Sequence, residues 1–298
     1  MKNIHKSLFI NKAIDLLITS KDGIYIDCTF GLGGHSKNIL HRLSNKGKLI
    51  AIDNDLNTMV FAKKLGIFFD KRFKLINTNF CYLERIAKKC CKKVSGIILD
   101  LGISKNQIKD YKRGFSFYIN GPLDMRINNK LGITAFDFLN NYKTKEIFKI
   151  FKIYGEEKKS YIITKKICKR RIKYPFKMTL ELSNLIKIIK FKKHKHPATK
   201  VFQSIRIYIN NELQNIEVLI NSSLKILNIN TKLIIITFNS LESHLVKKVI
   251  KNNMKKNNLF NYQVYPNTEE IIYNNSSRSA TMYIIKKLKQ STNYPWIK

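Results

Sequence analysis

The fold is decided by residues 24–36, which read Ile-Tyr-Ile-Asp-Cys-Thr-Phe-Gly-Leu-Gly-Gly-His-Ser. A short apolar run followed by a glycine-rich loop and a helical pattern is typical of a strand, a turn and a helix in a parallel α/β sheet. Glycines suit such a loop because the backbone turns with positive φ and approaches a ligand without a Cβ atom in the way. Asp53 ends the next apolar run, twenty positions after Gly33, where a carboxylate accepts hydrogen bonds from ribose hydroxyls. The stretch therefore predicts a site for a nucleoside-containing cofactor.

The glycine spacing narrows the choice of cofactor. A dinucleotide site has a third glycine three positions after the second, so that the helix packs closely and its N-terminus meets a pyrophosphate. Here that position is Ser36, and Asp27 stands four positions before Gly31. An acid in that place suits a ligand with an ammonium group and no phosphate, which favours S-adenosylmethionine. An NAD-dependent oxidoreductase and an ordinary glycine-rich turn are the alternatives.

The first hundred residues alternate apolar runs with helical patterns. We predict strands over 24–28, 48–52, 73–76 and 94–99, and helices over 36–43, 56–65 and 82–91. Asp27, Asp53 and Asp100 end, or directly follow, three of these strands. Because ligands of open α/β sheets bind beyond the carboxyl ends of the strands, we expect the three acids to converge on one rim.

The alternation breaks after Asp100. The patterns then predict an irregular segment over 102–129, helices over 134–193, a helix over 210–227, a buried strand over 232–238 and a last edge strand over 281–285. A sheet interrupted by helices and then resumed is typical of an insertion into an α/β fold. We therefore predict an α/β fold class, with a sheet domain (1–109 and 212–298) and a helical insertion (110–211).

Charge points to a polyanionic partner. The chain of 298 residues has 56 Lys and Arg against 20 Asp and Glu, a formal net charge of +36. From Lys158 to Lys200 the only acidic residue is Glu181, and a segment of one sign is typical of nucleic-acid binding. An A+T-rich genome, which inflates Lys and Asn in every protein, is the alternative source of the excess. A hydrophobic fraction of 44% excludes wholesale disorder, and the length excludes a small protein held together by disulfides.

The cysteines and the N-terminus favour a cytoplasmic protein. The five cysteines contain no C-x-x-C pair or metal quartet, which indicates a reducing compartment. No apolar run has the length of a signal peptide's apolar region or of a membrane span. His194 and His196 form an H-x-H pair without nearby partners, so no metal site is predicted.

The irregular segment contains paired arginines and carboxylates. Arg113, Asp124 and Arg126 lie in a long loop next to the predicted pocket. A loop in that place favours a role in substrate binding. A structural ion-pair network explains the same residue types equally well.

Several blocks together resemble one known family, the bacterial ribosomal RNA small subunit methyltransferase H family, also called MraW. The resemblance runs from His5 to about Ser279 and depends on these blocks: Gly33-Gly34-His35-Ser36, Leu99-Asp100-Leu101-Gly102-Ile103-Ser104, Arg113-Gly114-Phe115-Ser116-Phe117, Gly121-Pro122-Leu123-Asp124-Met125-Arg126, Tyr154-Gly155-Glu156-Glu157 and His196-Pro197-Ala198-Thr199. It implies a Rossmann-like S-adenosylmethionine-dependent methyltransferase domain with a helical insertion. The implied activity is methylation of N4 of one cytosine, position 1402, in the decoding region of 16S rRNA. The implied partner is the small ribosomal subunit, and neither a membrane nor a metal is expected. The sequence leaves the oligomeric state open between a monomer and a homodimer.

The resemblance also assigns site residues. The implied cofactor contacts are Gly33, Gly34, His35, Asp53, Phe80, Asp100 and Gln107, of which Phe80 and Gln107 come from the resemblance alone. The substrate candidates are Arg113, Asp124, Arg126, His196, Arg206 and Asn239, and no residue is assigned as catalytic. Arg170, Arg171 and Lys192 to Lys195 are expected to contact rRNA phosphates.

The chain departs from the family pattern at a few positions. Leu32 stands where an arginine is usual, Lys105-Asn106 replaces Ser-Pro, and Asn239 and Ser243-His244 replace the histidine and the Asp-Arg of the family block F-H-S-L-E-D-R. None of these positions belongs to the implied cofactor set. Leu32 and Asn239 leave open a third possibility, a catalytically silent RNA-binding assembly protein that kept the methyltransferase fold.

Overall fold

The structure is a computed structural model that describes residues 9–90, 93–190, 196–273 and 275–289. The chain divides into two compact units. We call the first, Met1–Gly102 with Gln214–Lys298, the sheet unit, and the second, Ile103–Leu213, the helical unit.

The sheet unit contains one seven-stranded sheet with the order β3-β2-β1-β4-β5-β7-β6. The first five strands in that order are parallel, whereas β7 is antiparallel to both β5 and β6. The strands are β1 (Ile24–Asp27), β2 (Lys48–Asp53), β3 (Phe73–Asn77), β4 (Val94–Asp100), β5 (Leu227–Thr237), β6 (Leu259–Val264) and β7 (Thr281–Lys287).

Helices connect these strands. They are α1 (Ile10–Leu17), α2 (Gly34–Arg42), α3 (Thr58–Lys64), α4 (Leu83–Cys90), α11 (Glu212–Ile226), α12 (Ser240–Asn257) and α13 (Thr268–Tyr273). The first two residues of α11 belong to the helical unit. Ile14 of α1 and Ile39 of α2 are buried in one core with Ile234 of β5 and Ile284 of β7. Burial of an Ile or Leu side chain contributes about 1.5–3 kcal/mol, so the apolar faces of these elements hold the sheet unit together.

The helical unit contains α5 (Lys105–Lys109), α6 (Ala135–Asn141), α7 (Thr144–Ile153), α8 (Ser160–Arg171), α9 (Thr179–Ile189) and α10 (Thr199–Ile209). Its core includes Phe138 of α6, Phe151 of α7, Ile167 of α8 and Ile205 of α10, all fully buried. Ile103, its first residue, packs against this core. The units therefore change at residues 102/103 and 213/214, whereas the sequence placed the domain boundaries at 109/110 and 211/212.

The structure confirms the predicted fold class, and the predicted strands of the first hundred residues end within a residue of the observed ones. One strand prediction is wrong in its position: β7 is not an edge strand, because β6 pairs with it from Leu259↔Lys287 to Val264↔Met282. The sequence did not predict β6 or α12. Residues 91 and 191–195, which fall in predicted helical or basic segments, lie outside the described residues.

No helix in the described ranges has the length and apolar character needed to cross a membrane.

Candidate cofactor site

Three carboxylates lie at the carboxyl ends of three neighbouring parallel strands. Asp27 ends β1, Asp53 ends β2 and Asp100 ends β4, and β1 pairs with both of the other strands. In the register of the sheet, Asp27 lies opposite Ala51 and Ile98. The three acids therefore lie on one rim, as the sequence predicted.

The loop after β1 requires glycine at two positions. Gly31 and Gly33 have φ values of 53° and 78°, in the left-handed region that favours glycine. A Cβ atom on Gly33 would lie 2.5 Å from Leu65 and 2.8 Å from Phe30, closer than packed carbon atoms approach. Helix α2 begins at Gly34, with Gly33 as its N-cap residue. The backbone is therefore open toward the rim at the place where the sequence predicted a cofactor.

Asp53 is hydrogen-bonded across this loop. Its Oδ2 accepts from Gly31 N at 2.7 Å, and its Oδ1 accepts from Asp55 N at 2.8 Å. Burial is the largest influence on the pKa of Asp53; it outweighs these two hydrogen bonds and, with the negative charges of Asp55 and Asp27, raises the pKa to about 7. Each carboxylate oxygen accepts more than one hydrogen bond, so both oxygens keep the capacity to bind the hydroxyls of a ribose.

Asp27 is hydrogen-bonded to residues at both ends of the glycine loop. Its side chain is 1% exposed, its Oδ2 accepts from Ser36 Oγ at 2.7 Å, and its Oδ1 accepts from Thr29 N at 3.1 Å. Burial is the main cause that raises the pKa of Asp27. The sequence suggested that this acid suits the ammonium group of a ligand, but its contacts are with the loop itself. Asp27 therefore acts as a structural support of the loop.

His35 and Asp100 form the polar part of the rim. His35 is 4% exposed, and its Nε2 lies 3.4 Å from Asp100 Oδ2. Burial lowers the pKa of His35, but the carboxylates of Asp100 and Asp27 outweigh burial and raise the pKa above its usual value. Nδ1 of His35 and Oδ1 of Asp100 are buried without a hydrogen-bond partner among the described residues. Buried polar atoms in native proteins are nearly always satisfied, so these atoms are expected to bind polar groups of a ligand.

Phe80 lies at the same end of the sheet. It follows β3, whose last residue Asn77 is the register partner of Asp53, and Thr78 N donates to Asp53 O at 2.9 Å. Phe80 begins a short helical turn and is half-buried. An aromatic ring at this place suits the adenine that the resemblance assigns to it.

Gln107 belongs to the helical unit. It closes a capping box at the start of α5: its Oε1 accepts from Ser104 N at 2.8 Å, and its backbone N donates to Ser104 Oγ at 3.2 Å. Its contact with a cofactor stays a prediction.

The residues of the sheet unit fit a nucleoside cofactor without a pyrophosphate. They combine an open glycine backbone, a carboxylate beside it, and partnerless buried polar atoms on His35 and Asp100. Ser36 occupies the position of the third glycine of a dinucleotide site, and its hydroxyl donates a hydrogen bond to Asp27. The fold and the residues at the rim therefore fit the class of S-adenosylmethionine-dependent methyltransferases.

Comparison with known proteins identifies the family. The profile of the MraW methylase family matches residues 2–288, so the chain belongs to that family. Proteins named ribosomal RNA small subunit methyltransferase H are similar to it. The one from Wigglesworthia glossinidia brevipalpis is 41% identical, covering 96% of this chain and 99% of the relative. The one from Buchnera aphidicola subsp. Cinara cedri is 43% identical, covering 96% and 92%. A solved rRNA methylase from Streptococcus thermophilus aligns at 11% identity and a TM-score of 0.46, covering 96% of this chain and 100% of that one.

Three substrate candidates of the helical unit have partners within that unit. Arg113 donates from its guanidinium to the carbonyls of Arg126 (3.1 Å) and Ile127 (2.6 Å). Arg126 forms a bidentate ion pair with Asp124, at 2.9 Å from Nε and 2.7 Å from the terminal nitrogen. These contacts are the structural ion-pair network that the sequence left open as an alternative. Substrate contacts by Arg113, Asp124 and Arg126 stay predictions.

The other three candidates also have partners within their own unit. Arg206 forms a bidentate pair with Glu212 at 2.8 and 2.9 Å. His196 Nδ1 accepts from Ala198 N at 3.2 Å, and its ring stacks on Phe117 with centroids 4.5 Å apart. In the sheet unit, Asn239 caps α12. Their contacts with substrate stay predictions as well.

The structure corrects the expected role of two arginines. Arg171 donates to the carbonyls of Leu139 and Tyr142, both at 2.7 Å. Arg170 lies 4.1 Å above the ring of Phe176 and 3.7 Å from Glu181. Both guanidinium groups therefore serve the packing of the helical unit instead of reaching outward to phosphate. Lys192 to Lys195 and His194 lie outside the described residues.

Sequence reasoning missed the residues that support the site. Ser36 bonds Asp27, Thr29 Oγ1 accepts from Asp100 N at 2.7 Å, and Asp55 N bonds Asp53. A detectable signal existed for Asp55, because an Asp two positions before a turn residue commonly accepts from that residue's N–H. In the described ranges, no group of three or more His, Cys, Asp or Glu side chains is placed to hold a metal ion.

Proposed function

We propose that the protein transfers a methyl group from S-adenosylmethionine to N4 of cytosine 1402 of 16S rRNA in the small ribosomal subunit. Membership of the MraW methylase family and the names of its relatives support this substrate. The observation that carries the proposal is the rim where Gly31 N holds Asp53 beside the partnerless polar atoms of His35 and Asp100. In this role the protein binds RNA and takes part in rRNA processing by base methylation in the cytoplasm.

Placement is the main catalytic contribution of the protein. S-adenosylmethionine, when bound, supplies an electrophilic methyl group on a sulfonium, and the amine of cytosine is a poor nucleophile because its lone pair is delocalised into the ring. Correct placement of two reactants supplies about 7–11 kcal/mol, whereas a general base contributes roughly 10²- to 10⁴-fold. The chain's own residues therefore act mainly by holding the reactants: Asp53 would hold the ribose of the cofactor, and Phe80 would hold its adenine.

Asp100 is the best candidate to orient the acceptor amine. Its Oδ1 is buried and lacks a partner among the described residues, and a carboxylate oxygen accepts an amine hydrogen well. The amide oxygen of Asn239, the other acceptor considered from the sequence, already accepts from Glu242 N at 3.0 Å. To reach the rim the cytosine must leave its stack, which costs a few kcal/mol.

The outer face of α8 is the part of the helical unit best suited to rRNA phosphates. Lys165, Lys166 and Lys169 are exposed on α8, and Lys173 is exposed just beyond it. The exposed ring of Tyr161 lies on the same helix, and aromatic rings next to lysines suit single-stranded RNA. These lysines replace Arg170 and Arg171 as the expected phosphate contacts.

The decisive experiment is methyl transfer in vitro. Small ribosomal subunits lacking the modification are incubated with the protein and S-adenosylmethionine, and their nucleosides are analysed by mass spectrometry. The expected product is N4-methylcytidine mapped to position 1402. Binding of S-adenosylhomocysteine without any product would favour the catalytically silent assembly protein, and a thermal shift with NADH alone would favour the oxidoreductase.

A further inference from the structure

A groove lies in the sheet unit away from the rim. It runs between α12 and the antiparallel strands β6 and β7 and has a volume of about 170 Å³. Lys247, Lys251 and Met254 line it from α12, and Asn261 and Gln263 line it from β6. None of these residues takes part in the cofactor site.

The helix side of the groove carries uncompensated positive charge. Lys247 and Lys251 are exposed and stand four positions apart, so they project from the same face of α12, with Cβ atoms roughly 5–6 Å apart. No carboxylate lines the groove, and no ion pair to either lysine is found in the described ranges. The acid of α12, Glu242, is buried and accepts from Phe238 N at 2.8 Å. The lysines are therefore free to neutralise an anionic ligand.

The strand side of the groove carries amides beside apolar surface. Asn261 and Gln263 are two positions apart on the edge strand β6, and side chains at that spacing lie on one face of a sheet. Gln263 Oε1 accepts from Tyr265 OH at 2.8 Å, which leaves its amide N–H groups to donate. Tyr283, from β7, lines the buried side of the groove, and Met254 is 40% exposed.

We propose that this groove binds a single-stranded stretch of the rRNA substrate, distinct from the target cytosine. Lysines next to amides and apolar surface match the phosphates, base edges and base faces of an unpaired nucleotide. The proposal rests on the proposed function, because a 16S rRNA substrate supplies such strands. An acidic protein segment also suits the two lysines, but the adjoining amides and the apolar floor favour a nucleotide.

The test compares two double variants of the full chain. Lys247→Ala/Lys251→Ala removes the groove lysines, and Lys248→Ala/Lys71→Ala removes the same charge from two exposed positions outside the groove. Binding to a fluorescent single-stranded RNA oligonucleotide is measured by anisotropy over a range of salt concentrations. Each phosphate contact contributes about 0.7 to the slope of log K against log salt for single strands. The groove variant is expected to lose about 1.4 of slope relative to wild type, and the control variant clearly less.

A second pair of substitutions tests the amides. Asn261→Ala/Gln263→Ala is expected to weaken binding about fivefold or more at high salt without changing the slope, since the hydrogen bonds of these amides are neutral. Equal slopes for the groove and control variants would overturn the proposal. Polyglutamate, an acidic peptide, serves as a second ligand. If the groove variant loses binding to polyglutamate but keeps its binding to RNA, the proposal is also overturned. These outcomes leave methyl transfer by the wild-type chain intact, whereas absence of N4-methylcytidine would contradict the proposed function itself.

Discussion

Ser36 donates a hydrogen bond of 2.7 Å from its Oγ to Oδ2 of the buried Asp27. Ser36 occupies the position at which a dinucleotide site has its third glycine, and it lies in the first turn of α2. The bond joins the carboxyl end of β1 to the start of that helix. The departure from the dinucleotide pattern therefore has a structural role: it anchors the loop that carries Gly31 and Gly33.

We expect Ser36→Ala to destabilise the protein. The substitution leaves the carboxylate of Asp27 buried with one partner fewer, which lowers the free energy of unfolding by about 1–3 kcal/mol. Urea unfolding followed by circular dichroism measures the change. Lys37→Ala, an exposed neighbour in the same helix, serves as the control and should stay within about 0.5 kcal/mol of wild type. Equal stability of the two variants would contradict the anchoring role.

The affinity for S-adenosylhomocysteine should rise with pH. Burial raises the pKa of Asp53 to about 7, with the carboxylates of Asp55 and Asp27 adding to the shift. Ribose hydroxyls donate to the ionised form, so binding is favoured once that form is populated. Because a group with a pKa near 7 is about one-tenth ionised at pH 6, the affinity measured by calorimetry should be roughly tenfold lower at pH 6 than at pH 8.

The control for this pH dependence is Asp53→Asn, which removes the titrating group. It should weaken binding by about 100-fold or more, because two hydrogen bonds to a charged group contribute about 1.5–3 kcal/mol each. The remaining affinity should vary little with pH. A pH profile shared by wild type and Asp53→Asn would exclude Asp53 as its source.

The raised pKa of Asp53 affects the stability of the unliganded protein in the opposite direction from ligand affinity. The contribution of Asp53 to stability is present below about pH 4 and is lost as pH rises through about 7.

Much of the site was predictable because its residues follow from strand ends. The apolar runs of β1, β2 and β4 are short and bounded, and an acid directly after each falls on one rim in any parallel sheet. The edge strand β6 gave no such signal: of its six residues only Leu259 is buried, so its pattern lacks the apolar run of a central strand. The side-chain partners of Arg113 and Arg126 depend on chain segments brought together by folding, which no local pattern reports.

The two arginines of α8 show a different kind of failure. A run of basic residues was interpreted as one phosphate-binding face, although a helix divides such a run between its faces. Ile163 and Ile167 are fully buried, and Arg171 follows Ile167 by four positions, which places it on the inward side. The sequence contained this information, but the charge of the segment was given more weight than its period.

Arg171→Ala should destabilise the helical unit. Both terminal nitrogens donate to carbonyls at the end of α6, and hydrogen bonds to charged groups contribute about 1.5–3 kcal/mol each. We expect the free energy of unfolding to fall by about 3 kcal/mol or more in urea titrations. Lys169→Ala, an exposed position two residues earlier, should change it little. Arg171→Lys should not restore stability, because an ammonium lacks the planar fork that reaches both carbonyls; full restoration by lysine would show that charge alone is required.

The ion pair of Glu157 and Lys190 is buried in the helical unit. Lys190 Nζ contacts Glu157 Oε2 and also donates to Pro197 O at 2.9 Å. Lys190→Met leaves a buried carboxylate without its cation, and breaking such a pair from one side costs about 3–5 kcal/mol. The double variant Glu157→Leu/Lys190→Met should lose less stability than Lys190→Met alone, since it removes both charges. A double variant less stable than Lys190→Met would contradict this interpretation, because it would show that Glu157 and Lys190 stabilise the protein through partners other than each other.

Asn239 stands where the family has a histidine, and its contacts define a helix cap. Its Oδ1 accepts from Glu242 N at 3.0 Å, and the Glu242 carboxylate accepts from Phe238 N at 2.8 Å. Asn239→Ala should therefore lower the free energy of unfolding by about 1 kcal/mol, and Asn239→Asp, which keeps an acceptor at the cap, should restore it. Chemical denaturation of the three proteins measures this order. A fall in methyl transfer by Asn239→Asp at unchanged stability would instead assign the amide to the acceptor base, because the cap is intact in that variant whereas a carboxylate has replaced the neutral N–H donors of the side chain.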